Sequence, residues 1–305
     1  MGRVLARAFQ KDGHDVVLLS RHYEKLPWRV VKWNGKTLDD WTDEIDDADI
    51  VINLTGRSVN CRYNANNRRE MMDSRIDSTR AIGEAIEKAT DPPRVWLQAS
   101  TATIYSHRYD APNDDVTGII GGHEPDAPDT WNFSIDVATS WERVTNEAVT
   151  PKTRKVLMRS AMIMSPDGGG IFDTMLTMVR LGLGGTAAGG RQYISWIHDA
   201  DFIRSTYWLI DHEELSGPIN LASPNPLPNK EFVRVTREAW GAPIGLPATK
   251  WMLELGAFLM RSETELILKS RRVVPSRILD SGFEFEFPDW QDAAADLVKR
   301  RRGSG

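Results

Sequence analysis

Short apolar runs alternate with longer amphipathic segments along the first half of the chain. The runs are rich in Val, Ile and Leu, which is typical of buried strands, and the amphipathic segments repeat apolar residues at helical spacing. Strands are predicted at residues 15–21 (DVVLLSR), 48–54 (ADIVINL), 95–99 (VWLQA) and 155–159 (KVLMR). Helices are predicted at residues 3–11, 66–89 and 133–149. Strands separated by helices form a parallel sheet with helices on both faces, so we predict an α/β fold.

The pattern changes after about residue 160, where glycine-rich stretches interrupt the alternation. Four prolines between residues 216 and 230 indicate a segment boundary. Beyond it, helices are predicted at 231–240, 249–270 and 290–301, and a strand at 283–287 (FEFEF). We therefore predict a sheet domain over residues 1–215 and a small, mostly helical domain over 216–305.

Composition and charge exclude several classes of protein. The net charge is −5 and the pI about 5.8, so no basic field favours binding to nucleic acid or to anionic lipid. No apolar run approaches the roughly 20 residues of a membrane span, and charged residues interrupt the N-terminus, which argues against a signal peptide. A single cysteine fits a reducing compartment. We expect a cytoplasmic protein with no membrane partner.

Seven motifs in chain order resemble the extended short-chain dehydrogenase/reductase superfamily, and more narrowly its atypical, epimerase-like branch with a small C-terminal domain of unknown function. They are LSR (19–21), INLTG (52–56), DSRIDSTR (73–80), STATIY (100–105), RSAMIMSPDGG (159–169), GGRQYISWIHDAD (189–201) and PSRILDSGFEFEFPDW (275–290). The resemblance covers nearly the whole chain. It implies a Rossmann-type doubly wound sheet that binds NAD(P) in residues 1–215.

The N-terminus departs from the pattern of this family. Relatives open with a strand and a G-x-x-G-x-x-G turn that brings backbone N–H groups to the cofactor's pyrophosphate. Here Gly2 alone matches the last of these glycines, and the chain opens directly on the helix. The first strand and most of the glycine-rich loop are therefore expected to be missing. Two explanations are open: a start at an internal methionine, or a shortened protein.

The resemblance implies a set of cofactor-binding residues at the ends of the predicted strands. Ser20 and Arg21 lie where the adenosine ribose would sit, and an arginine there accommodates a 2′-phosphate, so NADP is expected in preference to NAD. The full set is Gly2, Ser20, Arg21, Asn53, Leu54, Thr55, Gly56, Arg75, Ser100 and Thr101.

The standard catalytic pair of the superfamily, a tyrosine followed four residues later by a lysine, is absent. Those positions fall on Ser134 and Ala138, or one residue earlier on Phe133 and Val137. Thr101 matches the usual Ser/Thr. The remaining catalytic candidates are Thr101 and Tyr105, the substrate candidates are Arg191, Gln192, Ser195 and Trp196, and no spacing of ligand residues indicates a metal site.

Three functional interpretations are open. The first is an NADP-binding reductase acting on an unknown small polar substrate, and the second is a non-catalytic nucleotide-sensing or interaction protein on the same fold. The third is a folding-impaired fragment without activity. The sequence does not specify the substrate or the oligomeric state.

Overall fold

The computed structural model describes residues 1–22, 25–125, 127–249 and 263–303. The helices are α1 Gly2–Lys11, α2 Ala65–Lys88, α3 Asp129–Glu147, α4 Ile171–Arg180, α5 Asp199–Asp211, α6 Asn229–Trp240, α7 Glu265–Leu268, α8 Ser276–Asp280 and α9 Trp290–Gly303. The strands are β1 Val17–Ser20, β2 Arg29–Lys32, β3 Ile50–Asn53, β4 Val95–Thr101, β5 Arg154–Ser160, β6 Met162–Met164, β7 Tyr193–Ile194, β8 Trp196–His198, β9 Gly217–Leu221 and β10 Leu227–Pro228. The helices and strands predicted before residue 160 are confirmed.

The main sheet is parallel and in two parts. β3, β4, β5 and β9 form one part in that order, and β1 pairs with β2 to form the other. A doubly wound sheet places one further strand between β1 and β3, and the described residues supply none. All carboxyl ends of a parallel sheet meet at one edge, which defines where the polar motifs come together.

Helices cover both faces of the sheet because the side chains of each strand alternate between them. On β4, Val95 and Leu97 face a cluster that contains Phe9 of α1 and Phe202 of α5. Trp96 points the opposite way, into a cluster built on α2 and Trp41. The predicted three-layer α/β arrangement is thereby confirmed.

A second apolar cluster joins the C-terminal helices to the chain that follows β5. Trp290 of α9 stacks on Phe232 of α6, with ring centroids 4.0 Å apart, and also contacts Phe172 and Trp196. The predicted boundary at residue 215 lies just before β9, which belongs to the main sheet. The division into two domains at that residue stays a prediction.

The strand predicted at 283–287 is wrong. The alternating FEFEF pattern arises because Phe283 and Phe285 pack against the core of the sheet domain. The backbone N–H groups of Glu286 and Phe287 donate to the carboxylate of Asp201 at 2.8 Å each, in place of a neighbouring strand. The predicted helix at 249–270 lies largely outside the described residues. Within those that are described, no helix is long and apolar enough to span a membrane.

Candidate functional site at the carboxyl edge of the sheet

The loop that follows β3 is shaped by a buried asparagine. The side-chain amide of Asn53 donates to Oε1 of Gln98 at 3.0 Å, and its carbonyl oxygen accepts from the backbone N–H of Thr55 at 3.0 Å. These two bonds turn the chain outward at the end of the strand. Leu54 remains packed against the core, so that Thr55 and Gly56 form the outer rim of the loop.

Gly56 and Arg75 lie in direct contact. A Cβ at position 56 would come within 3.0 Å of Cζ of Arg75, so the glycine permits this close approach. The guanidinium of Arg75 donates to the carbonyl of Met71 at 2.9 Å and lies 5.0 Å from the ring centre of Trp141. Burial lowers the pKa of Arg75. This arginine therefore supports the loop from beneath.

The other end of the edge is more open. Ser20 ends β1 and accepts from the backbone N–H of His22 at 3.3 Å, and the adjacent Arg21 is exposed. Gly2 opens α1, and a Cβ at this position would meet no neighbouring segment within 4 Å. An ion pair between Arg7 and Asp167 holds this helix beside the loop that leads to α4.

Two hydroxyl groups at the end of β4 have different surroundings. Ser100 is buried and donates to Oε1 of Glu142 at 2.6 Å. Thr101 is partly exposed, and its Oγ1 accepts from the backbone N–H of Thr103 at 3.1 Å. The O–H of Thr101 retains its capacity to donate, whereas that of Ser100 is already used.

Tyr105 belongs to a buried polar network. Its hydroxyl accepts from Arg159 at 2.9 Å and donates to Oδ1 of Asn220 at 2.9 Å. Arg159 in turn pairs with Glu142 at 2.7 Å. Burial raises the pKa of Tyr105. Because both functions of the hydroxyl are satisfied inside the protein, the geometry favours a structural role over the predicted catalytic one.

The four predicted substrate residues do not form one surface. Gln192 is buried and donates to the carbonyls of Ala187 and Ile267, at 3.0 and 3.1 Å. Ser195 is buried and donates to the carbonyl of Arg271 at 2.7 Å. The side chain of Trp196 lies in the apolar cluster of the C-terminal helices.

Arg191, by contrast, is exposed and lies 5.7 Å from the ring centre of Tyr109. The geometry thus favours structural roles for Gln192, Ser195 and Trp196, and only Arg191 offers its charge to solvent.

The two positions of the absent catalytic pair lie on α3 near the end of β4. Ala138 is fully buried and packs in a cluster with Ala102 and Tyr105. Ser134 is partly exposed and donates to the carboxylate of Glu265, which comes from α7 near the C-terminus. The space beside the missing pair is therefore occupied by groups from a distant part of the chain.

Three charged residues at 265–271, which the sequence analysis missed, converge on this place. Lys269 donates to the carbonyl of Thr103 at 2.9 Å, and Nε of Arg271 donates to Oγ1 of the same threonine at 3.2 Å. Arg271 also lies 3.6 Å from the carboxylate of Glu265. Burial raises the pKa of Glu265 and lowers that of Lys269 to about 8.

Tyr63, from the loop between β3 and α2, completes this group. Burial together with the nearby charge of Glu265 raises the pKa of Tyr63 to about 12. The ring of Tyr63 meets Phe133 edge-on at 5.5 Å. We call Tyr63, Ser134, Glu265, Lys269 and Arg271 the C-terminal polar cluster.

Throughout the described ranges, no group of three His, Cys, Asp or Glu side chains could hold a metal ion.

Comparison with known proteins agrees with this geometry. The profile of the NAD dependent epimerase/dehydratase family matches residues 1–222, and that of a domain of unknown function (DUF1731) matches residues 248–297. An epimerase family protein of Staphylococcus epidermidis is 32% identical over 290 residues, which are 95% of this chain and 92% of that protein. The mouse epimerase family protein SDR39U1 is 27% identical over 308 residues, 98% and 96% of the two chains.

Solved structures give the same result. The human epimerase family protein SDR39U1 (isoform2), crystallised with NADPH, is similar with a TM-score of 0.85 at 25% identity, covering 98% of this chain and 95% of that one. UDP-N-acetylglucosamine 4-epimerase of Bacillus cereus, at 17% identity and a TM-score of 0.69 over 99% and 95% of the chains, shares the fold. With a matching family profile over most of its length and a Rossmann-like parallel sheet, the chain belongs to the NAD dependent epimerase/dehydratase family.

Proposed function

We propose that this protein binds NADP(H) along the carboxyl edge of its sheet, where NADPH would reduce, or NADP+ would oxidise, a small polar substrate. The observation that supports the proposal is that residues 53–56 and Thr101 lie at the carboxyl ends of the paired parallel strands β3 and β4, and that Arg21 directly follows β1. The human relative that contains NADPH, similar over 98% of this chain, supports it.

The residues at this edge fit a dinucleotide. Arg21 is exposed where a ribose 2′-phosphate would be neutralised, with Ser20 beside it. Gly56 leaves its Cβ space to Arg75, and the fixed side chain of Asn53 sets the course of the loop after β3, on whose outer rim a flat ligand would lie. At the pyrophosphate position the described chain offers the first turn of α1 with open space around Gly2.

The remaining predicted cofactor-binding residues support the loops that form the proposed site. Leu54 and Thr55 continue the same loop, Arg75 holds it from beneath, and Ser100 is engaged with Glu142. A bound nicotinamide supplies or accepts the hydride. Thr101, whose oxygen accepts a backbone N–H and whose O–H can donate, orients a substrate oxygen next to it. Ser134 and Ala138 supply neither the phenol nor the ammonium of the standard pair.

A non-catalytic nucleotide sensor is the second candidate. It is favoured by one observation: the position of the standard lysine is Ala138, fully buried among apolar neighbours. The two candidates differ in turnover alone, because both require cofactor binding. NADPH oxidation across a panel of sugar nucleotides and small carbonyl compounds separates them.

The experiment titrates NADPH and NADH into the protein and follows the fluorescence of its 11 tryptophans. For Arg21→Ala we expect NADPH affinity to fall about 10-fold, since a charge-assisted hydrogen bond contributes roughly 1.5–3 kcal/mol and Arg21 is solvated. NADH affinity should stay unchanged. Arg143→Ala, an exposed arginine on α3, is the matched control. Equal losses for both cofactors would show that Arg21 does not read the 2′-phosphate, and binding of neither by the unmodified protein would refute the proposal.

A further inference from the structure

Lys155 and Lys269 differ in the number of hydrogen-bond acceptors that their ammonium groups contact. Nζ of Lys155 donates to three carbonyls at the end of α3, those of Thr145, Asn146 and Ala148, at 3.1, 3.2 and 2.9 Å. An ammonium has three N–H donors, so each donor of Lys155 has a carbonyl acceptor. Lys269 is the more deeply buried, with 2% of its surface exposed, yet among the described residues it donates only to the carbonyl of Thr103.

The neighbouring carboxylates do not supply the acceptors that the ammonium of Lys269 lacks. Among the described residues no carboxylate lies within 4 Å of its ammonium. Glu265 is directed to Ser134 and Arg271, and the carboxylate of Glu124 accepts from the backbone N–H groups of His107 and Gly122 at 2.8 and 2.7 Å. An ammonium taken out of water without acceptors is costly, so a chain that keeps one there leaves a place for an acceptor from outside.

Neighbouring groups add positive character to this place. The guanidinium of Arg271 shares Thr103 with Lys269. Nδ1 of His107 accepts from the backbone N–H of Ser270 at 2.7 Å, so a neutral ring carries its proton on Nε2 and is a further donor. Burial lowers the pKa of His107, and the positive charges of Lys269 and Arg271 lower it further. The groups around Thr103 thus add positive charge and an N–H donor beside the ammonium of Lys269.

We propose that Lys269 and Arg271 bind an oxyanion, the carboxylate or phosphate of the substrate, beside the end of β4. The proposal rests on the function proposed above, because it places the anionic end of the substrate next to Thr101. Thr101, Thr103, Ser134 and His107 are partly exposed, so a ligand reaches the ammonium from their side. The reacting carbonyl or alcohol of such a substrate then lies at the carboxyl edge, where the cofactor is expected.

The test measures oxyanion binding directly, with and without saturating NADPH. Inorganic phosphate, acetate and the neutral analogue acetamide are titrated at constant ionic strength, and binding is followed by calorimetry and by thermal unfolding. We expect binding of phosphate or acetate, with acetamide inactive, and the stronger of the two anions identifies the group. In Lys269→Met the affinity should fall at least 10-fold. Lys155→Met removes an ammonium whose three donors already have acceptors, so this variant should keep the anion affinity of the wild-type protein.

The possible results separate the two proposals. Absence of an anion response in the wild-type chain, an equal response to acetamide, or an unchanged affinity in Lys269→Met overturns the inference, because ordered water then satisfies the ammonium. Should Lys269→Met fail to fold, the 13C signals of the lysine side chains in the wild-type protein decide: one buried lysine shifts with phosphate if the inference holds, and none if it does not. Absence of NADPH binding refutes the proposed function separately, since the anion titration is also made on cofactor-free protein.

Discussion

Replacing Arg159 with methionine would isolate a buried carboxylate in the centre of the polar network around Tyr105. The side chains of Arg159 and Glu142 are each 10% exposed, and their two contacts measure 2.7 and 2.8 Å. After the substitution, Glu142 keeps, among its described partners, only the hydrogen bond from Ser100, and the hydroxyl of Tyr105 loses its donor. The geometry thus predicts a charge without a counter-ion in a place that water hardly reaches.

The magnitude follows from these contacts. Removing one partner of a buried ion pair costs about 3–5 kcal/mol, and the lost charge-assisted hydrogen bond from Arg159 to Tyr105 about 1.5 kcal/mol more. We expect the free energy of unfolding in urea at pH 7 to fall by roughly 5–6 kcal/mol. Arg143→Met is the matched control on α3, because its pair with Glu147 at 3.1 Å is 62% and 60% exposed. That control should lose no more than about 0.5 kcal/mol.

A double replacement tests the reasoning behind this number. In Glu142→Leu with Arg159→Met no charge remains in the network, so a large part of the lost stability should return. The reasoning is refuted if Arg159→Met costs less than about 1 kcal/mol, as little as a solvated pair. It is equally refuted if the double variant is no more stable than the single one, since the isolated charge is then not the cause.

Two further predictions concern Tyr105 and Lys269. Tyr105→Phe leaves buried polar atoms of Arg159 and Asn220 without a partner and should lower the free energy of unfolding by about 1–3 kcal/mol, while NADPH affinity stays unchanged; a large loss of affinity with intact stability would instead support the catalytic role. The pKa of Lys269 is about 8 in the folded chain and 10.5 in its ordinary state, so the unfolded chain holds more protons between these values and stability rises with pH there. Wild type should therefore gain about 2 kcal/mol relative to Lys269→Met between pH 7 and 9.5 in urea unfolding, and a difference that does not change with pH contradicts the assignment.

Local patterns predicted four of the strands that form the parallel sheet, at 15–21, 48–54, 95–99 and 155–159, but not β2 or β9. The apolar run at 95–99 predicted a strand that the structure extends to Thr101, because a strand buried on both faces is apolar throughout. The strand β2, Arg29–Lys32, was missed because it has only two apolar residues, and the charged residues at its two ends face solvent. The FEFEF segment gave a wrong strand prediction because its residues alternate as they do in a strand. Its backbone N–H groups at Glu286 and Phe287, however, donate to the carboxylate of Asp201 and not to a neighbouring strand.

The C-terminal polar cluster was beyond reach of the sequence for a different reason. Lys269 and Arg271 stand in the run KSRR, which is typical of a solvated surface, and their shared partner Thr103 lies 166 residues from Lys269. Burial of a charge depends on such distant contacts, which periodicity and motif spacing do not contain. Likewise Ser134 could be placed at the tyrosine position from the sequence, whereas its bond to Glu265 could not.

The two-part sheet has a consequence for how the protein opens. Every residue of β1 is partly exposed and its only strand partner among the described residues is β2, whereas six of the seven residues of β4 are buried. Segments with few buried contacts open with a free energy below that of the whole fold, so amide protons of β1 and β2 should exchange with deuterium well before those of β4. Because Arg21 follows β1, a ligand bound at Arg21 needs this segment closed, and the free energy of closing it lowers the apparent affinity for that ligand. A nucleotide bound at Arg21 would then act as a local folding partner and slow the exchange of β1 and β2.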